Sequence, residues 1–206
     1  HVRSRRQRQM CIRDRVYCVS DLVPGSPETM IGVIDGGTAL LSNIRAALAV
    51  TTTPGVELSQ AELLEPVPGH GKFICMGLNY LEHIREGGRD RAVPEFPTLF
   101  LRTRTSLLPP GGAIVAPQAS DRLDFEAELV VVIGKRVRNV DEATALEAAF
   151  GYTAFNDGSL RDFQKHTTQW TAGKNFDATG PYGPAIVTAD AVSYTHLRAH
   201  ETDSYL

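Results

Sequence analysis

Glu126 and Glu128 stand two residues apart inside the most apolar run of the chain, Asp124-Phe-Glu-Ala-Glu-Leu-Val-Val-Val-Ile-Gly134. The run is rich in β-branched residues and ends at a glycine, which predicts a strand. Residues i and i+2 of a strand share a face, so the two carboxylates are held side by side. Carboxylates that close repel unless a shared proton, an arginine or a divalent cation neutralises them. An all-oxygen site of this kind suits a hard cation such as Mg²⁺, Mn²⁺ or Ca²⁺. The competing reading is a solvent-facing stripe on an edge strand, because charges are seldom buried unless paired.

A third acid, Asp157, follows a predicted strand and precedes a predicted helix. It is either the N-cap of that helix or the third carboxylate of a cation site with open positions for water and substrate. Asp157, Arg161 and Gln164 fall at i, i+4 and i+7 and share one helix face, which could also be simply solvated. His83 and Glu86 are three apart and meet if their turn is helical. A carboxylate bonded to an imidazole orients it as a base, although a lone histidine is more often structural. Gly87-Gly88 follows at once as a possible lid hinge. Lys174 could clamp an anionic group, against the ordinary alternative of an exposed lysine. Trp170 reads as packing. Gly69-His-Gly-Lys72 is not a phosphate loop, since the earlier glycine is absent and Phe73 replaces Ser or Thr. There is no dinucleotide fingerprint and no nucleophile elbow.

The elements that must position these groups read as many short strands with few helices, a mainly β fold with α elements. Residues 16–66 predict a small α+β segment. In it, Met30–Ile34 and Ala39–Leu41 pair across an Asp35-Gly-Gly turn, and Ser42 caps a helix over Asn43–Val50. Ser59 and Glu62 match a capping box opening a second helix. Glu65-Pro-Val-Pro-Gly-His-Gly71 is a linker by composition. Beyond it come a buried strand at Lys72–Met76, a helical stretch at Leu81–Arg85, loops and short strands between Pro94 and Pro117, and the strand bearing the two glutamates. A helix near Asp141–Ala149, a strand at Gly151–Phe155, a helix to about Lys165, a loop over Thr171–Pro184 and a strand from Ala185 complete the reading.

At 206 residues the chain has the length of one domain with a small appendage. No stretch is long enough to span a membrane, and the three cysteines form no metal-ligand spacing or disulfide framework. A reducing, cytoplasmic setting follows. The net charge of −3 conceals a basic first segment, with six arginines against Asp14 in residues 1–15, and an acidic remainder. A basic arm could bind nucleic acid, but an acidic body argues against such a partner. Residues 1–15 and 192–206 both resemble translated sequencing-adapter DNA, so both ends are set aside from fold reasoning. That removes His196, His200 and Glu201 as a metal-site decoy. The native chain is expected to continue beyond Asp190.

Five separated blocks carry a resemblance: Gly77-Leu-Asn-Tyr80 with His83 and Glu86, then Asp124-Phe-Glu-Ala-Glu-Leu129, then Asn156-Asp157 with Arg161-Asp-Phe-Gln164, then Gly173-Lys174, then Gly183-Pro184. In this order and spacing, residues 72–190 resemble the fumarylacetoacetate hydrolase family. The resemblance implies a mixed β-sheet roll, incomplete here at the C-terminus, preceded by the small N-terminal segment. It implies Mg²⁺ or a similar ion held by Glu126, Glu128 and Asp157. It implies a catalytic His83–Glu86 dyad and a pocket lined by Asn79, Tyr80, Arg161, Gln164 and Lys174, the last also balancing charge in catalysis. The expected activity is hydrolysis of a carbon–carbon bond in an acylpyruvate-type 1,3-diketo acid, by a homodimer that needs neither nucleic acid nor membrane. The alternatives are decarboxylation of oxaloacetate-like acids, or isomerisation or hydration of unsaturated 2-oxo dicarboxylates from aromatic degradation. A non-enzymatic β-rich binding module is the remaining possibility.

Overall fold

The structure is a computed structural model describing residues 9–12, 15–86 and 92–192. The N-terminal region opens with a three-stranded antiparallel sheet, β1 (Gln9–Ile12), β2 (Arg15–Cys18) and β3 (Val56–Glu57), with β2 in the centre. Helices α1 (Val19–Leu22), α2 (Met30–Asp35) and α3 (Gly37–Val50) lie between β2 and β3 in the chain. Val16, Val19, Val33, Ile34, Leu41 and Ile44 are its buried residues.

The hairpin expected over residues 30–41 is therefore a pair of helices. The Thr29 hydroxyl accepts from the Gly32 N–H at 3.1 Å and starts α2. Gly37, at φ +53°, turns the chain directly into α3. Buried positions at 33, 34, 41 and 44 follow helical rather than strand periodicity. Ser42 lies inside α3 and donates to the Thr38 carbonyl at 2.9 Å instead of capping. Ser59 begins no α-helix: Leu58–Gln60 form a single 3₁₀ turn, and Pro66 and Pro68 follow closely.

The second region is built on a four-stranded sheet in the order β6 (Leu107–Leu108), β11 (Gly180–Thr188), β9 (Ala149–Asn156) and β8 (Ala127–Ile133). A two-stranded sheet joins β4 (Ile74–Gly77) to β5 (Thr98–Leu101), and another joins β7 (Leu123–Asp124) to β10 (Ser159–Leu160). Short helices α4 (Leu81–Glu86), α5 (Glu142–Glu147), α6 (Arg161–Gln164) and α7 (Thr171–Lys174) connect them. Leu107, Phe155 and Tyr182 form a core cluster against which Phe73, Cys75 and Val130 pack. Phe73 stacks at 5.0 Å from Phe155 and 5.5 Å from Tyr182, centroid to centroid. The segment expected as a loop over 171–184 instead contains α7 and the start of β11, which runs through Pro181 and Pro184.

Two links tie the N-terminal region to β11 and its end. The Tyr182 hydroxyl donates to the Val67 carbonyl at 3.1 Å, and Arg45 pairs with Asp190 at 2.8 Å.

β8 shows the predicted alternation. Glu128 and Val130 are half-buried and Val132 is buried, while Leu129, Val131 and Ile133 are exposed on the other face; Glu126, expected in the same strand, lies just before β8 and is also half-buried. β4 is likewise half-exposed rather than buried, with Ile74 and Met76 outward.

Candidate functional site

The register of β8 on β9 builds the site. Ala127 lies opposite Asn156, and Glu128 opposite Phe155. One step beyond the strand, the Asp157 N–H donates to the Glu126 carbonyl at 2.9 Å. Glu126 and Asp157 are thereby set across from each other, and cross-strand partners project to the same side. The backbone N–H of Glu126 is fixed in turn by the Asn156 side chain at 3.2 Å.

Three cationic side chains meet these acids. The Lys174 ammonium donates to Glu126 Oε2 at 2.7 Å and to Asp157 Oδ2 at 2.6 Å. Lys174 and Asp157 are each only 2% exposed. Arg102 donates to the other Asp157 oxygen, Oδ1, at 3.0 Å. Arg161 bonds Glu126 Oε1, reaches Asp124 Oδ2 through Nε at 2.9 Å, and contacts Gln164 Oε1 at 3.1 Å. The Ser159 hydroxyl bridges Glu126 Oε1 and the Asp157 carbonyl at 3.0 and 2.7 Å.

Burial raises the Asp157 carboxyl above the ordinary aspartate range, against the pull of Lys174 and Arg102. Burial also pushes Glu126 up, but Lys174 and Arg161 outweigh it and leave that carboxyl below its ordinary range. Burial, with the Asp157 charge adding to it, pushes the nearby Cys75 thiol up to about 12. Cys75 is therefore a protonated packing residue, not a nucleophile.

These groups open onto a cleft of about 910 Å³. Glu126, Glu128, Asp157, Arg161, Gln164 and Lys174 line it, as do Asn79, Tyr80 and His83. His83 sits exposed on α4. The Glu86 side chain lies outside the described residues, as do Gly87-Gly88 and His196, His200 and Glu201, so the expected dyad, hinge and decoy all fall there. Trp170, expected as packing, stands 6.0 Å from Phe100, centroid to centroid, and also lines the cleft.

Asp157 is not an N-cap: α6 begins four residues later, its N-cap is Leu160, and no side chain caps it. Asp157 also lies off the helix face it was expected to share, although Arg161 and Gln164 do meet. Lys174 is a buried ion-pair partner, not an exposed lysine. Reasoning from sequence missed Arg102, whose only signal is a lone charge closing the apolar run Leu99-Phe-Leu-Arg102. It also missed Ser159, and the part Asp124 plays in holding Arg161.

The donor chemistry fits a hard cation. Three oxygen-only side chains face one cleft, and the Lys174 ammonium already places one positive charge between two of them. Among the described residues, no three Asp, Glu, His or Cys side chains are gathered into a ready-made ligand cluster.

Comparison with known proteins identifies the family. The family model for the fumarylacetoacetate hydrolase C-terminal domain matches residues 72–202. A mitochondrial oxaloacetate tautomerase of Bos taurus is 38% identical over 175 residues, covering 84% of this chain and 55% of that protein. The chain thus spans about half the length of the curated relatives it matches. The solved fumarylacetoacetate hydrolase of Exiguobacterium antarcticum superposes with a TM-score of 0.66 at 31% identity, covering 90% of this chain and 63% of that one. Maleylpyruvate hydrolase from Sphingobium sp. SYK-6, solved with manganese(II) and pyruvate, gives 0.72 at 27% identity, covering 90% and 65%. With its mixed sheet and helix fold and its acid-lined cleft, the chain belongs to the fumarylacetoacetate hydrolase family.

Proposed function

We propose that this cleft binds 2-oxo acids and stabilises their enolates, with hydrolytic cleavage of acylpyruvate-type 1,3-diketo acids as its reaction. The observation that carries this reading is the convergence of Lys174, Arg161 and Gln164 with Glu126 and Asp157 on one cleft. Acids there would hold a cation, and the adjacent bases and amide would hold an anionic substrate.

Glu126, Glu128 and Asp157 are the residues that would hold a divalent ion, Mg²⁺ or Mn²⁺ by donor type. When bound, such an ion polarises a carbonyl and favours enolate character. Arg161 and Gln164 orient the substrate carboxylate, since a guanidinium matches it in a fork geometry. Lys174 balances charge on the departing enolate. Asn79 and Tyr80, which line the same cleft, contact the substrate. His83 removes a proton from water, which adds to the distal carbonyl. The bond between that carbon and the central carbon then breaks, giving one carboxylic acid and the enolate of pyruvate, which is protonated to pyruvate. A Glu86 contact to the imidazole and a homodimeric assembly belong to the same reading by resemblance.

A second reading keeps the enolate and omits the water. Similarity to mitochondrial oxaloacetate tautomerases favours keto–enol exchange on oxaloacetate, with decarboxylation or isomerisation of related 2-oxo acids as neighbouring outcomes. Those relatives also bear on compartment. Among the described residues no helix is long and apolar enough to cross a membrane; the tautomerase relatives are mitochondrial, and a cytoplasmic setting goes with the hydrolytic reading.

The test follows enol absorbance of an acylpyruvate and of oxaloacetate, each with Mg²⁺ and with chelator. Chelator-sensitive loss of acylpyruvate giving pyruvate and a second acid supports hydrolysis. Turnover of oxaloacetate alone moves the assignment to the second reading, and turnover of neither refutes both.

A further inference from the structure

We propose that Arg102 is a positioning residue: from behind the cleft, its guanidinium aims the Asp157 carboxylate at the cation. The inference rests on the reading of Asp157 as a cation ligand.

Arg102 follows β5 directly. Its N–H donates to the Phe73 carbonyl at 3.0 Å, so the pairing of β4 and β5 fixes its backbone. Its side chain is fully withdrawn from solvent, and Arg102 is not among the residues lining the cleft. Its terminal nitrogens donate to Asp157 and to three groups behind it. Nη1 donates to Asp157 Oδ1 at 3.0 Å and the Gly158 carbonyl at 3.1 Å, while Nη2 donates to the Thr179 hydroxyl at 3.1 Å and the Ser106 carbonyl at 3.3 Å. The guanidinium carbon lies 5.5 Å from the Phe155 ring centroid. A Cβ at residue 180 would collide with Nη2, so Gly180 leaves the space the guanidinium occupies.

This arrangement divides the two oxygens of Asp157. Oδ1 is tied backward to Arg102, and Oδ2, which the Lys174 ammonium bonds, is the oxygen left to be shared with a cation. A carboxylate tied at one oxygen has lost the rotation that would spoil ligand geometry. Groups that orient metal-binding side chains commonly control affinity by about 10–100-fold. Lysine cannot replace the fork, because a single ammonium has no planar set of donors to span Asp157, Gly158, Ser106 and Thr179.

The test measures Mn²⁺ affinity, from the electron paramagnetic resonance signal of free Mn²⁺, for the parent, Arg102→Lys, Arg102→Met and Asp157→Asn. Circular dichroism and the thermal midpoint report folding of each. Arg102→Lys keeps the charge and is the decisive variant. The expected result is a folded Arg102→Lys protein with Mn²⁺ affinity about 10-fold or more weaker, Arg102→Met weaker still, and Asp157→Asn weakest. Parent-like affinity in Arg102→Lys, with Asp157→Asn impaired, overturns the positioning role and leaves Asp157 as a ligand. Parent-like affinity in Asp157→Asn instead removes the reading on which the inference rests. If Arg102→Met does not fold, Arg102→Lys alone decides.

Discussion

Lys174 and Asp157 form an ion pair at 2.6 Å with both side chains almost completely removed from water. The same ammonium reaches Glu126 at 2.7 Å, so one buried positive charge stands between two carboxylates. In a low-dielectric setting each of these groups depends on the others, since an unpaired buried charge is far costlier than a paired one.

Removing Lys174 should therefore expose the repulsion between Glu126 and Asp157. Lys174→Met is expected to lose about 3–5 kcal/mol of stability in the presence of chelator, the usual cost of breaking a buried pair. Mg²⁺ should restore more stability to the variant than to the parent, because the cation replaces the missing charge. Urea unfolding of both proteins, with chelator and with Mg²⁺, measures this. An equal Mg²⁺ increment in the two proteins would show that the acids do not share a cation.

Acid should weaken the site through Glu126. Its folded carboxyl sits below the ordinary glutamate range, so the unfolded chain binds more protons there. The stabilisation is complete above the unfolded value and is lost as the pH falls through the lowered folded value. Asp157 has the opposite sign: burial raises its folded value, so its contribution is largest in acid and declines as the pH rises through that range. Urea midpoints recorded with chelator from pH ~7 to ~3 should therefore fall less steeply in Glu126→Gln than in the parent. A steeper fall in the variant would reverse the sign assigned to Glu126.

The glutamate pair was legible because a strand has a period of two, and Glu126 and Glu128 do fall on the same half-buried side. The companion strand was legible as the aromatic, apolar run Gly151–Phe155, and the β8–β9 register then supplies Asp157. The N-terminal region was misread because short apolar runs beside Asp35-Gly-Gly look like a hairpin over a few residues. The deciding signal was the Thr29 cap of α2, which lies outside those runs. Arg102 was invisible for a different reason. Its partners come from residues 106, 157, 158 and 179, and only the folded chain brings them together.

Arg161 links three side chains, with Nε on Asp124 and Nη1 on both Glu126 and Gln164. A lysine can hold one of these but not the fork. Arg161→Lys is expected to raise KM for a 2-oxo acid about 10-fold or more while leaving the thermal midpoint within a few degrees, because the side chain is partly exposed. Steady-state kinetics with a calorimetric scan checks both halves. An unchanged KM would remove Arg161 from substrate binding.

His83 separates the two proposed reactions. It is exposed and lines the cleft, while the Lys174–Asp157 pair is buried, and thermal midpoint and Mn²⁺ affinity of the variant report whether fold and cation site are kept. A general base typically contributes about 10²–10⁴-fold. His83→Ala is therefore expected to lose acylpyruvate hydrolysis by that factor, with Mn²⁺ affinity unchanged. Any keto–enol exchange of oxaloacetate carried by the enolate-stabilising groups should fall much less, since it needs no attacking water. Parallel assays of both substrates on the same preparation give the answer. Equal losses on the two would make His83 a proton carrier common to both reactions, and parent-like acylpyruvate turnover would exclude it as the base that activates water.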